Sequence, residues 1–385
     1  MTATEKLLAA LIALPSVNPT LLPPSPSARP SAAFHPRAGE GRVAEFLATV
    51  LARAGLDLDF QPVFPQRANL LARLRPAGKI RRTILLAPHL DTVNVAKEKQ
   101  FTPTRRHGRL YGRGACDTKG SVAAFVAALC NLAKSPARPR ETEIIFTGLV
   151  DEENAQAGSR RLVAGGLRAD LAIVGEPTRL QVVTAHKGSV FVTVTTHGKA
   201  AHGATPQFGR NAVHGMARVV DLLETRYAEQ LRRRQHPLLG HGTISVGTIA
   251  GGTQANIVPD ACVMSADRRT LPGETEAGVC REIAALLRAE KLDAEISGGR
   301  LAPCLPLETD ARLPLVREFM RSVGQSRPVG VHYFCDAAVL AGGGIPSVVF
   351  GPGDIAQAHT SDEWISLREL ERGKALLLRF LKSLP

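Results

Sequence analysis

Residues that can bind a metal ion follow four short apolar runs of the chain. They are His89 and Asp91 after TILLAP, Asp151, Glu152 and Glu153 after EIIFTGLV, Glu176 after LAIVG, and His359 after SVVFGPG. Asp117 joins them from the loop YGRGACDTKG, which immediately precedes a predicted helix. Histidine nitrogens combined with carboxylate oxygens form a mixed donor set that suits zinc. The residue types and their positions therefore favour a metal site.

Each of these residues alone also fits an ordinary loop or surface position. The apolar character of the preceding runs favours the metal, because a carboxylate at the end of a buried strand is costly unless a cation compensates it. A dication is the simplest partner that serves several carboxylates at once. In open α/β sheets, moreover, ligands bind at the carboxyl ends of the strands.

The apolar runs are typical of strands buried on both faces, and helical periodicity separates them. Strands are predicted at 83–88, 143–150, 171–175 and 347–351, and helices at 40–54, 118–134, 159–164 and 367–384. Strands that alternate with helices predict an α/β fold with a doubly wound, mostly parallel sheet.

The middle third of the chain has a different pattern. The segment SVFVTVTT, 189–196, alternates apolar and polar residues with period two, as in a sheet with one solvated face. Helix and strand signals then complete a β-α-β-β-α-β order, which predicts an inserted ferredoxin-like α+β domain. The predicted organisation is a sheet domain in two parts, 1–182 and 300–385, with a separate small domain at 183–299.

Composition excludes several classes of protein. The 385 residues are 44% hydrophobic and 22% charged, an ordinary globular composition. No apolar run approaches the ~18–20 residues of a membrane helix, and the N-terminus lacks a secretory cleavage signal. The net charge of +13 is spread along the chain and aromatic residues are only 4%, which argues against nucleic-acid binding. Six scattered cysteines predict free thiols and a cytoplasmic location.

Five ordered motifs make a family resemblance specific. HLDT, GRGACDTKG, DEEN, VGEPT and the late His359 are similar to the motif set of the cocatalytic zinc amidohydrolases and peptidases. That family includes acetylornithine deacetylase, succinyl-diaminopimelate desuccinylase, aminoacylase and carboxypeptidase G. The segments GKAAHGATPQFGRNA and GGTQANIVPDACVMSADRRTLPGE also resemble its lid and dimerisation domain. The resemblance thus implies that 183–299 is the lid and dimerisation domain, and that 1–182 and 300–385 form the catalytic domain. The resemblance extends from about Leu7 to Leu381.

The resemblance implies a role for each matching residue of the metal site. Asp117 would bridge two divalent metal ions, zinc or alternatively cobalt. One metal would be completed by His89 and Glu176, the other by Glu153 and His359. Glu152 would be the general acid and base, and Asp91 would orient His89. Adjacent side chains of an extended segment point in opposite directions, so Glu152 can face the substrate while its neighbour faces a metal.

The resemblance also assigns residues outside the metal site. His202 would stabilise the oxyanion in the active site of a partner subunit, which implies a homodimer. Arg269 would bind a substrate carboxylate, with Arg268 as its nearby competitor, and Asn256 would be a further polar contact. Cys335 lies where relatives carry a small hydroxyl residue near the substrate. A thiol is a weaker hydrogen-bond donor than a hydroxyl, so the resemblance does not extend to substrate preference at this position.

The sequence thus predicts a metal-dependent hydrolase that cleaves the amide of a small N-acyl amino acid or dipeptide. Acetylornithine deacetylase, an enzyme of arginine biosynthesis, is the leading hypothesis. The alternatives are a succinyl-diaminopimelate desuccinylase, and a dipeptidase or carboxypeptidase of the same family. A non-catalytic binding protein on the same scaffold is the alternative from another class. No membrane or nucleic-acid partner is expected.

Overall fold

The computed structural model describes residues 1–22, 38–299 and 302–385. Six prolines between Pro19 and Pro36 predict an extended loop. This segment lies mostly outside the described residues, and its start is a 3-10 turn at Pro19–Leu21. The described chain divides into two compact units. Unit 1 comprises Met1–Thr184, Thr309–Val329 and Cys335–Pro385, and unit 2 comprises Ala185–Glu308 and Gly330–Phe334.

The helices within the described residues range from single turns to a long C-terminal helix. They are α1 Ala3–Ile12, α2 Gly41–Arg53, α3 Lys119–Ala133, α4 Ala157–Ala164, α5 Ala212–Leu222, α6 Ala228–Arg232, α7 Glu276–Ala289, α8 Pro314–Val323, α9 Ala337–Gly342 and α10 Leu367–Ser383. A π-helical turn, Leu223–Tyr227, joins α5 to α6.

The strands belong to a large sheet, a four-stranded sheet and a small three-stranded sheet. They are β1 Asp57–Phe64, β2 Arg67–Leu74, β3 Arg82–Leu86, β4 Thr104–Arg106, β5 Arg109–Tyr111, β6 Thr142–Gly148, β7 Leu171–Val174, β8 Val183–His186, β9 Gly188–His197, β10 Thr243–Gly251, β11 Ala261–Thr270, β12 Ala294–Gly298, β13 Leu307–Glu308, β14 Val329–Val331, β15 Ser347–Val349 and β16 Trp364–Ser366.

The large sheet of unit 1 has the strand order β1-β2-β6-β3-β7-β15-β8. Its central strands β6, β3, β7 and β15 run parallel, and antiparallel pairs flank them on both sides. The predicted α/β class with a mostly parallel sheet is confirmed. The antiparallel β1–β2 hairpin was not predicted, because six of the eight β1 residues are exposed and the strand contains no buried apolar run.

Helices cover both faces of the large sheet because alternate strand residues point to opposite sides. Ile84 and Leu86 of β3 join one core with α1, α2, α3, α8 and α10, whereas Leu85 between them lies outside that cluster. On the other side, α4 contacts α9, and α9 contacts β7 and β15. This packing fixes the direction and the ends of the central strands.

Unit 2 contains a four-stranded antiparallel sheet in the order β10-β11-β9-β12. Residues of β9 alternate between buried and half-buried positions, as the period-two pattern predicted. The chain order β9-α5-β10-β11-α7-β12 is the β-α-β-β-α-β arrangement, so the predicted ferredoxin-like insert is confirmed. α5 and α7 bury their apolar sides, with Met216 and Ile283 fully buried, in the core of this sheet.

Among the described helices, none is both long and apolar enough to cross a bilayer.

Candidate metal centre

The predicted ligands lie at the carboxyl ends of adjacent parallel strands of unit 1. His89 follows β3, Glu176 follows β7, and Glu153 follows β6. His359 lies in the loop after β15, and Asp117 ends the loop before α3. Since β6, β3, β7 and β15 are neighbours in the sheet, the loops that leave their ends converge on one edge.

Five side chains form two groups with metal-binding geometry, and Asp117 belongs to both. Ligand atoms of His89, Asp117 and Glu176 lie within 4.8 Å of one another. The same is true of Asp117, Glu153 and His359. The described part of the chain contains no other cluster of three such residues.

The two oxygens of Asp117 face different histidines. Its Oδ1 lies 3.1 Å from His89 Nε2, and its Oδ2 lies 3.3 Å from His359 Nε2. His89 Nε2 is also 3.7 Å from Glu176 Oε1, and His359 Nε2 is 3.2 Å from Glu153 Oε2. A carboxylate directed at two histidine–glutamate pairs has the geometry of a bridging ligand between two cations.

The hydrogen bonding of the carboxylates gives a second reason, besides the distances, why this donor set fits divalent cations. Glu153 Oε1 and Glu176 Oε1 are buried and have no hydrogen-bond partner. Buried carboxylate oxygens without partners are strongly unfavourable unless a cation compensates them. Two imidazoles and three carboxylates give the nitrogen and oxygen donors that zinc accepts.

The charges of the site depend strongly on one another. The neighbouring carboxylates raise the pKa of His89 well above its usual value, although burial alone would lower it. Hydrogen bonds from His359 and His89 lower the pKa of Asp117, although burial alone would raise it. Hydrogen bonds to Asp117 and Glu153 raise the pKa of His359 to about 10. Burial raises the pKa of Glu176 well above the usual range. Without a metal, the protonated histidines therefore balance the carboxylates.

Asp91 connects His89 to the acidic segment after β6. The ring Nδ1 of His89 lies 3.1 Å from the Asp91 carbonyl oxygen and 3.4 Å from its Oδ1. The Asp91 carboxylate also accepts hydrogen bonds from the backbone N–H groups of Glu152 and Glu153, each at 3.1 Å. Asp91 therefore contacts His89, Glu152 and Glu153, whereas the sequence resemblance had implied a contact with His89 alone.

Asn18 is a site residue that the sequence analysis missed. Its side-chain amide donates to Asp91 Oδ2 at 2.8 Å and to Asp151 Oδ1 at 3.0 Å. Asp151 also pairs with Arg67 at 3.2 Å. The amide therefore separates two buried carboxylates that would otherwise repel each other. An asparagine after a short N-terminal helix carries no sequence signal for this role.

The backbone after β6 turns sharply at Asp151, which has φ of 70°. A non-glycine residue in this left-handed region is uncommon and is maintained only by its surroundings. The Asp151 N–H donates to Glu40 Oε1 at 3.1 Å, and its side chain is fully buried. This turn presents Glu152 and Glu153 at the strand end.

Glu152 lies in neither metal-binding group, although it is adjacent to Glu153. Burial raises its pKa well above the usual range, and the negative charges of Glu176 and Asp336 raise it further. Cys335 is buried near the same acids. Burial and, to a smaller extent, the negative charge of Glu176 raise the pKa of its thiol. Burial and the neighbouring acids therefore favour the neutral form of both the Cys335 thiol and the Glu152 carboxyl.

His202 and Asn256 lie on neighbouring segments of unit 2. The Gly203 N–H donates to the Asn256 carbonyl at 2.8 Å, and both His202 and Asn256 are exposed. His202 Nδ1 accepts the Ala204 N–H at 3.1 Å. A neutral imidazole with Nδ1 as acceptor carries its proton on Nε2, which leaves an N–H donor free to act.

Arg269 lines a cavity of about 730 Å³ in unit 2 together with Lys187, His241 and His332. Its Nε pairs with Asp267 at 2.8 Å. The competing Arg268 is fully buried and pairs with Glu274 at 2.7 Å. Of the two arginines, Arg269 therefore lines this cavity, whereas Arg268 is buried in an ion pair.

Comparison with known proteins identifies related sequences over most of the chain. The model of Peptidase family M20/M25/M40 matches residues 85–383. The chain is 33% identical over 326 residues to an acetylornithine deacetylase of Myxococcus xanthus, covering 82% of this chain and 83% of the relative. It is 31% identical over 357 residues to an acetylornithine deacetylase of Proteus mirabilis, covering 88% of each.

Solved structures share the fold at lower identity. A tripeptidase from Staphylococcus aureus superposes with a TM-score of 0.77 at 20% identity, covering 99% of this chain and 97% of that one. A structure from Bacillus subtilis, described as a dinuclear metal-binding peptidase, has a TM-score of 0.70 at 14% identity with coverage of 99% and 97%. The family match and the relatives above 30% identity lead to one conclusion: the chain belongs to peptidase family M20/M25/M40.

Proposed function

We propose that this hydrolase uses two divalent metal ions per subunit, zinc or alternatively cobalt, to cleave the amide bond of an N-acyl amino acid. N-acetylornithine is the proposed substrate, which would place the enzyme in arginine biosynthesis. The observation that carries the proposal is the pair of ligand groups that share Asp117, with the free carboxylate of Glu152 beside them. The named relatives support the choice of acyl group.

His89, Asp117 and Glu176 would hold one cation, and Asp117, Glu153 and His359 the other. When bound, two cations activate a water molecule and polarise the amide carbonyl. Glu152 accepts a proton from the attacking water and delivers it to the nitrogen as the C–N bond breaks. Asp91 keeps His89 and the backbone of Glu152 in position through the hydrogen bonds described above.

Residues 183–299 are proposed to form a lid and dimerisation domain. Arg269 would bind the substrate carboxylate, because a guanidinium can contact both carboxylate oxygens. Asn256 would add a polar contact to the substrate in the lid domain. Cys335 would contact the substrate near the metal centre, where its protonated thiol is a weak donor.

The substrate assignment is tested with the metal-loaded enzyme and a panel of three substrate classes. N-acetylornithine, N-succinyl-diaminopimelate and a set of small dipeptides are compared by kcat/KM. We expect N-acetylornithine to be turned over best. A clear preference for the succinyl compound or for a dipeptide would replace the substrate but keep the chemistry. Metal binding without hydrolysis of any amide would indicate the non-catalytic binding protein instead.

Replacing His202 by Ala is expected to lower kcat by about 10²–10³-fold, the usual cost of one lost oxyanion donor. The metal content should not change, because His202 belongs to neither ligand group. Steady-state kinetics and elemental analysis on the same preparation measure both quantities. His197→Ala is the matched control, since His197 is another exposed histidine of unit 2. A similar loss of rate in both variants would contradict the role of His202.

The homodimer proposal has structural support within unit 2. β10 is an edge strand whose Ile249 is 54% exposed, and Val263 of the adjacent strand β11 is 42% exposed. An exposed edge with apolar residues favours pairing with another chain. If His202 acts in the partner's active site, mixing His202→Ala and Glu152→Gln subunits should restore activity. Verified subunit exchange without recovery would contradict action in trans.

Metal binding at neutral pH is expected to release protons. His359 has a pKa of about 10 in the metal-free site, so at pH 7 it is protonated, and only a neutral imidazole can coordinate. Metal affinity should therefore rise with pH and fall on acidification. Calorimetric titration of zinc into metal-free protein, in buffers of different ionisation enthalpy, counts the protons. Binding heats that do not depend on the buffer would contradict the prediction.

A cytosolic location and a small-molecule substrate are proposed on two further observations. All six cysteines are free thiols, which fits a reducing compartment. In the arginine run 232–234, Glu229 contacts Arg232 and Arg233. Glu282 contacts Arg234 at 2.6 Å. This pairing reduces the free positive charge that a nucleic acid would need.

A further inference from the structure

Glu363 is a buried carboxylate that the metal-centre chemistry described above does not use. It is 2% exposed and lies immediately before β16. Its Oε1 accepts the backbone N–H groups of Cys116 at 2.7 Å and Asp117 at 3.0 Å. Its Oε2 accepts the Gly114 N–H at 3.0 Å and an Arg113 guanidinium N–H at 2.7 Å. Every donor comes from the loop that ends at Asp117.

The backbone of Glu363 holds the same loop. Its carbonyl oxygen accepts the N–H of Gly112 at 3.0 Å. The chain then continues into β16, where Trp364 pairs with Tyr111 of β5. Contacts of Glu363, together with the strand pairing of Trp364, thus attach the segment from Tyr111 to Asp117.

These contacts exclude Glu363 as a metal ligand itself. A carboxylate has about four lone-pair positions, and four N–H donors occupy them. The charge-assisted bond to Arg113 also compensates the buried charge. Glu363 therefore acts on the site only through the residues that it holds.

Glu363 connects ligands that lie far apart in the sequence. It is separated from Asp117 by 246 positions, whereas His359 is only four residues before it. A hydrogen bond to the Asp117 N–H holds the backbone from which the shared carboxylate of the two ligand groups projects. Fixing the segment before β16 also limits how far the His359 loop can move.

We propose that Glu363 is a positioning residue for the metal centre. Glu363 fixes the orientation of Asp117 and the position of the His359 loop, so that both cations bind tightly. The inference rests on the proposed two-metal function. Residues that orient metal ligands typically change metal affinity or activity by about 10–100-fold when they are replaced. Substrate contact is not part of this role, so KM should change little.

The test is Glu363→Gln, because Gln keeps the shape but replaces one acceptor oxygen with an NH₂ donor that faces the loop N–H groups. Metal-free wild type and variant are titrated with Co²⁺ alone, followed by calorimetry and by the visible absorption of the bound ion. We expect the variant to bind about 10–100-fold more weakly. Saturating metal should restore part of kcat.

Glu143→Gln is the matched control, since Glu143 is a buried carboxylate of unit 1 paired with Arg73 at 3.2 Å, away from the ligand loops. A general loss of stability would be common to both variants, whereas weaker Co²⁺ binding is expected only for Glu363→Gln. Equal effects in the two variants, or wild-type affinity in Glu363→Gln, would overturn the proposal. Wild-type protein that binds no Co²⁺ would overturn the metal centre itself, and this inference with it.

If Glu363→Gln does not fold, Glu363→Asp decides the question. The shorter side chain keeps the charge but cannot reach all four donors, so we expect it to fold and to bind Co²⁺ with intermediate affinity. A folded Glu363→Asp protein with wild-type affinity for both ions would overturn the proposal.

Discussion

Replacing Glu152 by Gln is expected to reduce kcat for amide hydrolysis by about 10²–10⁴-fold, the usual contribution of a positioned general acid or base. The amide has nearly the same shape as the carboxylate but cannot accept the proton of the attacking water. Both metal ions should stay bound, because Glu152 belongs to neither ligand group. Turnover of N-acetylornithine and elemental analysis of the same sample provide the measurement.

The neighbouring residue supplies the control. Glu153→Gln alters one of the two ligand groups, so it should lose metal and activity together. The two adjacent glutamates would then be distinguished by metal content rather than by rate. Wild-type turnover in Glu152→Gln, or loss of a metal from it, would remove the role assigned to this residue.

Replacing Asp117 by Ala is expected to have the broadest effect of any single change at the site. Both groups of ligands include this carboxylate, so the variant should lose both metal ions and all measurable hydrolysis. The two histidines would also lose the acceptor that faces each of them at 3.1 and 3.3 Å. Metal stoichiometry after equilibrium dialysis against zinc is the measurement.

Variants that alter one group only serve as controls for Asp117. Glu176→Gln and His359→Asn should each weaken one site and leave the other occupied. A graded stoichiometry across the three variants is the signature of a shared bridging ligand. An Asp117→Ala protein that keeps one ion at wild-type affinity would show that the sites are independent.

The sequence predicted those features of the fold that depend on local patterns. Apolar runs such as TILLAP and LAIVG gave the buried parallel strands, because such runs are unfavourable outside a core covered on both faces. The period-two pattern of 189–196 gave the half-solvated sheet of unit 2. The ligand positions followed from the same argument, since polar residues at the ends of parallel strands meet at one edge of the sheet.

Contacts between distant segments could not be predicted in this way. Asn18 reaches Asp91 across 73 positions, and Glu363 reaches Asp117 across 246. Neither residue lies in a periodic pattern or carries a metal-binding side chain at a strand end. The strands β4, β5 and β16 of the small sheet have only three residues each, too few to show a periodic pattern. These features depend on tertiary packing alone.

The amide of Asn18 has a consequence for how far the chain can be shortened. The family model matches from residue 85, after Asn18, Glu40 and Arg67. A chain trimmed to that boundary would keep every proposed ligand, but two buried acids, Asp91 and Asp151, would lose the donor between them. A fragment limited to the residues matched by the family model would therefore lack a contact that stabilises two buried acids beside the proposed metal centre.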